Sequence, residues 1–349
     1  MKTIELMIDV SEAAALGQPA HIAITVALPD PDTIGSDPIV CFAKPGGGYS
    51  KEYYTVDLPG PGQGAQAEWH AARGWIFVSI DHLGVGASSV DHDPTRLDYT
   101  TLAAAAQAAE TEVLDRLAQG TLLAGFPPIE NPCKLGIGQS MGGCMTVVQQ
   151  GRYHCYDGIG VLGYSAVHTH PPVRPGDEPI VSPWLSRDRL LTQPLTVLNL
   201  AQTIDAERRA FVGTQIQDNG LPMAWGFFYD DVDAALINSD LADFPTRNGQ
   251  VPIWGSGTLP LAVAASCLTP GVIASEAAAV TVPVLVGMGE RDTCADPKGE
   301  PRAYASARSV DLFICPRMGH MHNFASTREL FWERIQSWAS WVSIHKTTV

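Results

Sequence analysis

Hydrophobic positions first alternate with polar ones and then close into continuous runs, and this change of rhythm predicts most of the fold. Thr3 to Val10 and His21 to Leu28 alternate and are rich in β-branched residues. The link between them carries Gly17 and Pro19, so they predict an opening antiparallel pair. Trp75 to Ile80 and Val310 to Cys315 read as strands, and Ile39 to Ala43, Gly158 to Gly163 and Val282 to Gly289 are continuous apolar runs. Such runs suit central strands covered on both faces. A further short apolar run starts at Lys134. Between the runs, Gln63 to Arg73, the Ala-rich Thr100 to Leu117 and Cys144 to Gln150 read as helices. A helical stretch is expected near Pro301 to Arg308, and an amphipathic helix from Ser326 to Val342 closes the chain. Strand and helix in alternation imply parallel pairing with right-handed crossovers.

From about Tyr164 to Cys267 the alternation stops. The stretch is Pro-rich and aromatic, with Trp184, Met223 to Tyr229 and Trp254. A segment this long is not one loop. It predicts a largely helical cap inserted after the sixth strand, at 165–267, over a core made of 1–164 and 268–349. Its aromatics suit the wall of a pocket for a bulky apolar or aromatic group, or the cap's own core.

Composition narrows the class. The chain has 349 residues, 45% hydrophobic and 17% charged, which is the make-up of a folded globular protein. Its net charge of -15 argues against nucleic acid or an anionic membrane as partner. No N-terminal signal pattern or membrane-length apolar run stands out, so a cytoplasmic location is expected. The seven cysteines are odd in number and never in C-x-x-C spacing, which predicts buried, reduced thiols and no zinc site.

The candidate chemistry centres on Gly138-Gln139-Ser140-Met141-Gly142, which follows the apolar run from Lys134 and precedes a helix. A strand, a sharp turn and a helix would place one hydroxyl at the tip of a bend. Glycines two residues either side leave room there, and the helix amides favour developing negative charge. This G-x-S-x-G elbow resembles that of the α/β-hydrolase superfamily. The resemblance implies an α/β fold with a mostly parallel central sheet flanked by helices, and a cap covering the active site.

Further positions extend it. Lys44-Pro45-Gly46-Gly47-Gly48-Tyr49 stands where the family has its oxyanion loop, with Pro45 where a histidine is frequent. The resemblance then assigns the oxyanion to the Gly47 and Met141 amides, with Gly48 one position away as the alternative. Asp81 to Ser88 is similar to the family's Asp-x-x-Gly-x-Gly-x-Ser turn, whose role is structural. The superfamily's chain order is nucleophile, acid, histidine, and Ser140, Asp292 and His320 follow it at three strand ends. Glu290 and Asp296 are alternative acids, and His322 is the rival base. His168 and His170 form a His-x-His pair without an accompanying metal motif, and are assigned to a cap hinge or pocket wall.

The expected function is hydrolysis of a carboxylic ester or lactone through a Ser-His-Asp triad and an acyl-enzyme, with no cofactor and no metal. The substrate is expected to be a small apolar or aromatic molecule, and a homodimer is the assembly considered. Carbon–carbon bond hydrolysis and acyl transfer to another alcohol use the same triad and stand as alternatives. A catalytically silent ligand binder is the alternative of another class.

Overall fold

The computed structural model describes residues 1–91, 93, 96–170, 172–176, 187, 223–245, 247 and 249–346. Eight strands form one sheet: β1 Lys2–Asp9, β2 His21–Leu28, β3 Ile39–Lys44, β4 Ile76–Ile80, β5 Cys133–Gln139, β6 Gly158–Leu162, β7 Val284–Gly289 and β8 Val310–Cys315. Their spatial order is β1-β2-β4-β3-β5-β6-β7-β8. β1 pairs antiparallel with β2, and β2 antiparallel with β4. Every other neighbouring pair is parallel. The opening pair and the parallel remainder thus follow the predicted rhythm. All residues of β3, β4 and β6 are buried, the polar Lys44 and Ser79 included.

Helices cover both faces. Tyr99–Ala118 and Met141–Tyr153 pack on one side, through residues such as Leu102, Val113, Val147 and Val148. Gln66–Ala71 and Arg328–His345 pack on the other, through Ala67, Ala71, Phe331, Ile335 and Trp338. One predicted helix differs. The stretch placed near Pro301 to Arg308 is a 3-10 helix at Pro297–Ala303, started by Asp296 accepting from the Gly299 amide. The ring of Pro301 within it would crowd the carbonyl four residues earlier in an α-helix, which disfavours that helix here.

The insertion lies between β6 and β7. Much of the segment expected as the cap, Trp184 and Pro171 included, falls outside the described residues. The described part includes helices Ala224–Phe227, Ala234–Leu241 and Leu261–Ser266. All seven cysteines are free, and six are buried. Burial pushes the Cys144 thiol up to about 12, so it behaves as an inert core side chain. No described helix is long and apolar enough to cross a membrane.

Candidate active site

β5 ends at Gln139, and the helix Met141–Tyr153 begins one residue after Ser140. Ser140 links them with φ 54° and ψ -120°, a strained backbone for a residue with a side chain. Its amide donates to the Leu162 carbonyl at 2.8 Å, which pins the bend to β6. The flanking glycines are sterically obligatory. A Cβ at Gly138 would collide with the Gly142 carbonyl, and one at Gly142 with the Lys44 carbonyl.

β7 and β8 deliver the acid and the imidazole. Asp292 follows β7, and its carboxylate accepts the Gly289 amide at 2.7 Å and the Thr293 amide at 2.7 Å. His320 follows β8, and its Nδ1 lies 2.7 Å from Asp292 Oδ1. Its amide donates to the Gly226 carbonyl at 2.8 Å, and its ring meets that of Phe227 at 4.8 Å. The other predicted candidates lie elsewhere. Glu290 is exposed and accepts from the Arg317 amide at 2.8 Å. Asp296 caps the 3-10 helix. His322 is buried and places Nε2 at 2.8 Å from the second oxygen of Asp292.

Burial raises the affinity of Asp292 for a proton, but the two imidazoles and their hydrogen bonds outweigh it and hold the carboxyl well below the usual range. A depressed acid stabilises the fold above its unfolded-state value and loses that contribution as pH falls. Asp292→Asn is therefore expected to lower the melting temperature at pH 7. The gap between parent and variant should shrink below about pH 4. Melting curves from pH 7 to pH 3 measure this, and a gap independent of pH would contradict it.

The glycine loop after β3 closes the site. The Gly46 carbonyl accepts the Tyr49 amide at 3.2 Å. In a planar trans peptide the Gly47 N–H points opposite to that carbonyl, out of the turn. A Cβ at Gly47 would stand 3.8 Å from Met141 Sδ, so the two predicted donors are neighbours. Met141 is the first residue of its helix and has no intrahelical acceptor for its amide. Gly48 has φ +81°. Its carbonyl accepts the Ser256 amide at 3.0 Å and the Arg247 guanidinium. Below the loop, His82 Nε2 meets the Pro45 carbonyl at 3.0 Å. Burial pushes His82 down to about 4, so its neutral ring donates there as a brace.

Ser140, His320, Gly47 and Met141 share the wall of one cavity of about 460 Å³. Most of the wall is apolar, with Met223, Phe227, Leu241, Phe244, Leu259 and Leu268 among its residues. Among the described residues it holds no lysine or arginine. Thr169 and Thr293 also line it, whereas His168 and His170 do not. The described residues contain no group of His, Cys, Asp and Glu that could hold a metal ion.

One site residue escaped the sequence reading. Gln139 Nε2 donates to the His320 carbonyl at 3.0 Å and lies 3.2 Å from His320 Nε2. An amide N–H can only donate, so it faces an unprotonated Nε2, and the imidazole proton sits on Nδ1 toward Asp292. The only signal for Gln139 was its place before the elbow serine.

No family model matches the sequence, and no curated protein matches it. Solved structures do. A proline iminopeptidase from Mycobacterium smegmatis aligns over 98% of this chain and 99% of its own, at 16% identity and a TM-score of 0.58. An esterase from Exiguobacterium antarcticum aligns over 96% and 100%, at 15% identity and a TM-score of 0.57. A bromoperoxidase from Bacillus anthracis aligns over 97% and 99%, at 14% identity and a TM-score of 0.57. At such identities the likeness is one of architecture, and it agrees with the strand order and the strained elbow: this chain has the α/β-hydrolase fold.

Proposed function

We propose that the protein is a serine hydrolase that transfers the acyl group of a neutral, apolar carboxylic ester or lactone to water. The observation carrying this reading is the meeting of Ser140 on its strained bend with the bonded pair His320 and Asp292, at one apolar cavity. Ser140 Oγ attacks the carbonyl carbon as His320 Nε2 takes its proton, while Asp292 holds Nδ1–H. The Gly47 and Met141 amides stabilise the oxyanion. The alkoxide leaves with the proton from His320, and water activated by the same nitrogen releases the acid and frees Ser140. In the resting arrangement Gln139 lies against His320 Nε2, so that contact must loosen as the serine proton moves in, while the bond to the His320 carbonyl keeps the amide in place. Catalytic hydrogen bonds commonly tighten only once substrate is bound.

A fluorophosphonate probe is expected to label Ser140, and p-nitrophenyl esters of graded chain length should be hydrolysed. Uncharged acyl chains should be preferred over carboxylate-bearing ones of the same length, because the described wall offers no cation. Peptide mapping of the probe and initial rates across the series measure both. A chain that neither takes the probe nor turns over any ester would defeat the proposal.

A further inference from the structure

Two imidazoles share one carboxylate. His320 Nδ1 bonds Asp292 Oδ1 at 2.7 Å, and His322 Nε2 bonds Oδ2 at 2.8 Å. Only His320 lines the cavity. The His322 ring is buried against Phe331, with centroids 4.6 Å apart. Its Nδ1 is buried and has no hydrogen-bond partner among the described residues.

An ionised carboxylate only accepts, so both facing nitrogens carry hydrogen. A positive His322 would need a second proton on Nδ1, buried with nothing to receive it, which is costly. His322 is thereby held as the neutral Nε2–H tautomer. It donates to Asp292 without adding charge, and it occupies the oxygen that His320 does not use.

We propose that His322 is a positioning residue that fixes the Asp292 carboxylate and limits how much of its negative charge reaches His320. The proposal rests on the serine-hydrolase reading above. A less charged partner stabilises the His320 imidazolium less. The other titratable groups facing Asp292 are Tyr53 and Cys294. Burial raises both, Cys294 to about 12, so each is neutral near pH 7. Glu290 and Arg291 on the same turn point outward, to Arg317 and to Asp230.

The test compares the parent with His322→Phe, which keeps a ring but no donor, and His322→Gln, which keeps a donor without a titrating group. The acid limb of kcat/KM for a p-nitrophenyl ester should move up by about one pH unit in His322→Phe, and stay near the parent in His322→Gln. A merely structural role would change the amount of folded protein without moving the limb. An unmoved or lowered limb in folded His322→Phe overturns the proposal.

Nitrogen NMR of ¹⁵N-histidine-labelled parent gives a readout that needs neither turnover nor the Phe variant. His322 should remain the Nε2–H tautomer between about pH 5 and 9, a range chosen to bracket ordinary histidine titration. A protonated Nδ1 there overturns the proposal. The same spectra follow proton uptake by His320 directly. If the parent labels with no fluorophosphonate, the hydrolase reading falls on that result, while the NMR result still decides the role of His322.

Discussion

Ser140→Ala is expected to lower kcat on a p-nitrophenyl ester by roughly 10⁴-fold or more, leaving only what the oxyanion donors and binding supply. The loss should fall on kcat more than on KM, because in the proposed mechanism the hydroxyl acts on the reacting carbon and the apolar cavity does the binding. The fold should survive, since alanine meets the same φ of 54° as serine. Ser140→Gly separates chemistry from backbone. It removes the nucleophile and also the Cβ that makes this conformation costly, so it should be equally inactive yet more stable, by about 1 kcal/mol or more. Initial rates with circular dichroism and urea unfolding measure these outcomes. Parental turnover in either variant would refute Ser140 as nucleophile.

The second large effect is on stability, at Arg247. Arg247 and Asp240 are both fully buried, with Nη2 and Oδ1 3.2 Å apart. Asp240 also accepts from the Tyr49 hydroxyl and from Trp254 Nε1. Arg247 stacks over the Tyr49 ring at 4.6 Å and donates to the Gly48 carbonyl. Burial already raises Asp240, and Arg247 is the first group opposing it. Arg247→Met would strand the carboxylate, and stability should fall by roughly 3–5 kcal/mol, the usual cost of breaking one side of a buried pair. A raised acid penalises the fold as pH increases, so the deficit should shrink toward acid pH as Asp240 takes up a proton. Urea midpoints at pH 5 and pH 8 test the sign. Adding Asp240→Asn to Arg247→Met should recover part of the loss, since the two residues are coupled. A loss under about 1 kcal/mol at pH 8 would show that the pair does not carry this region.

The sheet was legible because its signals are local. An unbroken run such as Ile39 to Ala43 can be covered on both faces only at the centre of a sheet, and the structure buries all of β3. The elbow was legible for a related reason, because the glycines at 138 and 142 record collisions within a few residues of the bend. Pairings across the chain were not. Whether 320 or 322 faced the cavity depends on how the turn after β8 settles against Gly226 and Phe227, which no local pattern encodes. The same holds for Gln139, whose partner lies on another loop, and for Arg247 reaching Gly48. The helical stretch expected near Pro301 lies a few residues earlier, as the 3-10 helix Pro297–Ala303, whose type depends on the cap at Asp296 and on Pro301 rather than on spacing.

The greasy chamber has a consequence for the end of the cycle. The proposed ester hydrolysis would turn a neutral guest into an acid that ionises at once near pH 7. The described walls give that anion no counter-ion, and a bare carboxylate is far happier in water than among Met223, Phe227 and Leu259. Under the proposed reaction the occupant would change its own solubility, and the spent molecule would be driven out by the same surface that drew its precursor in.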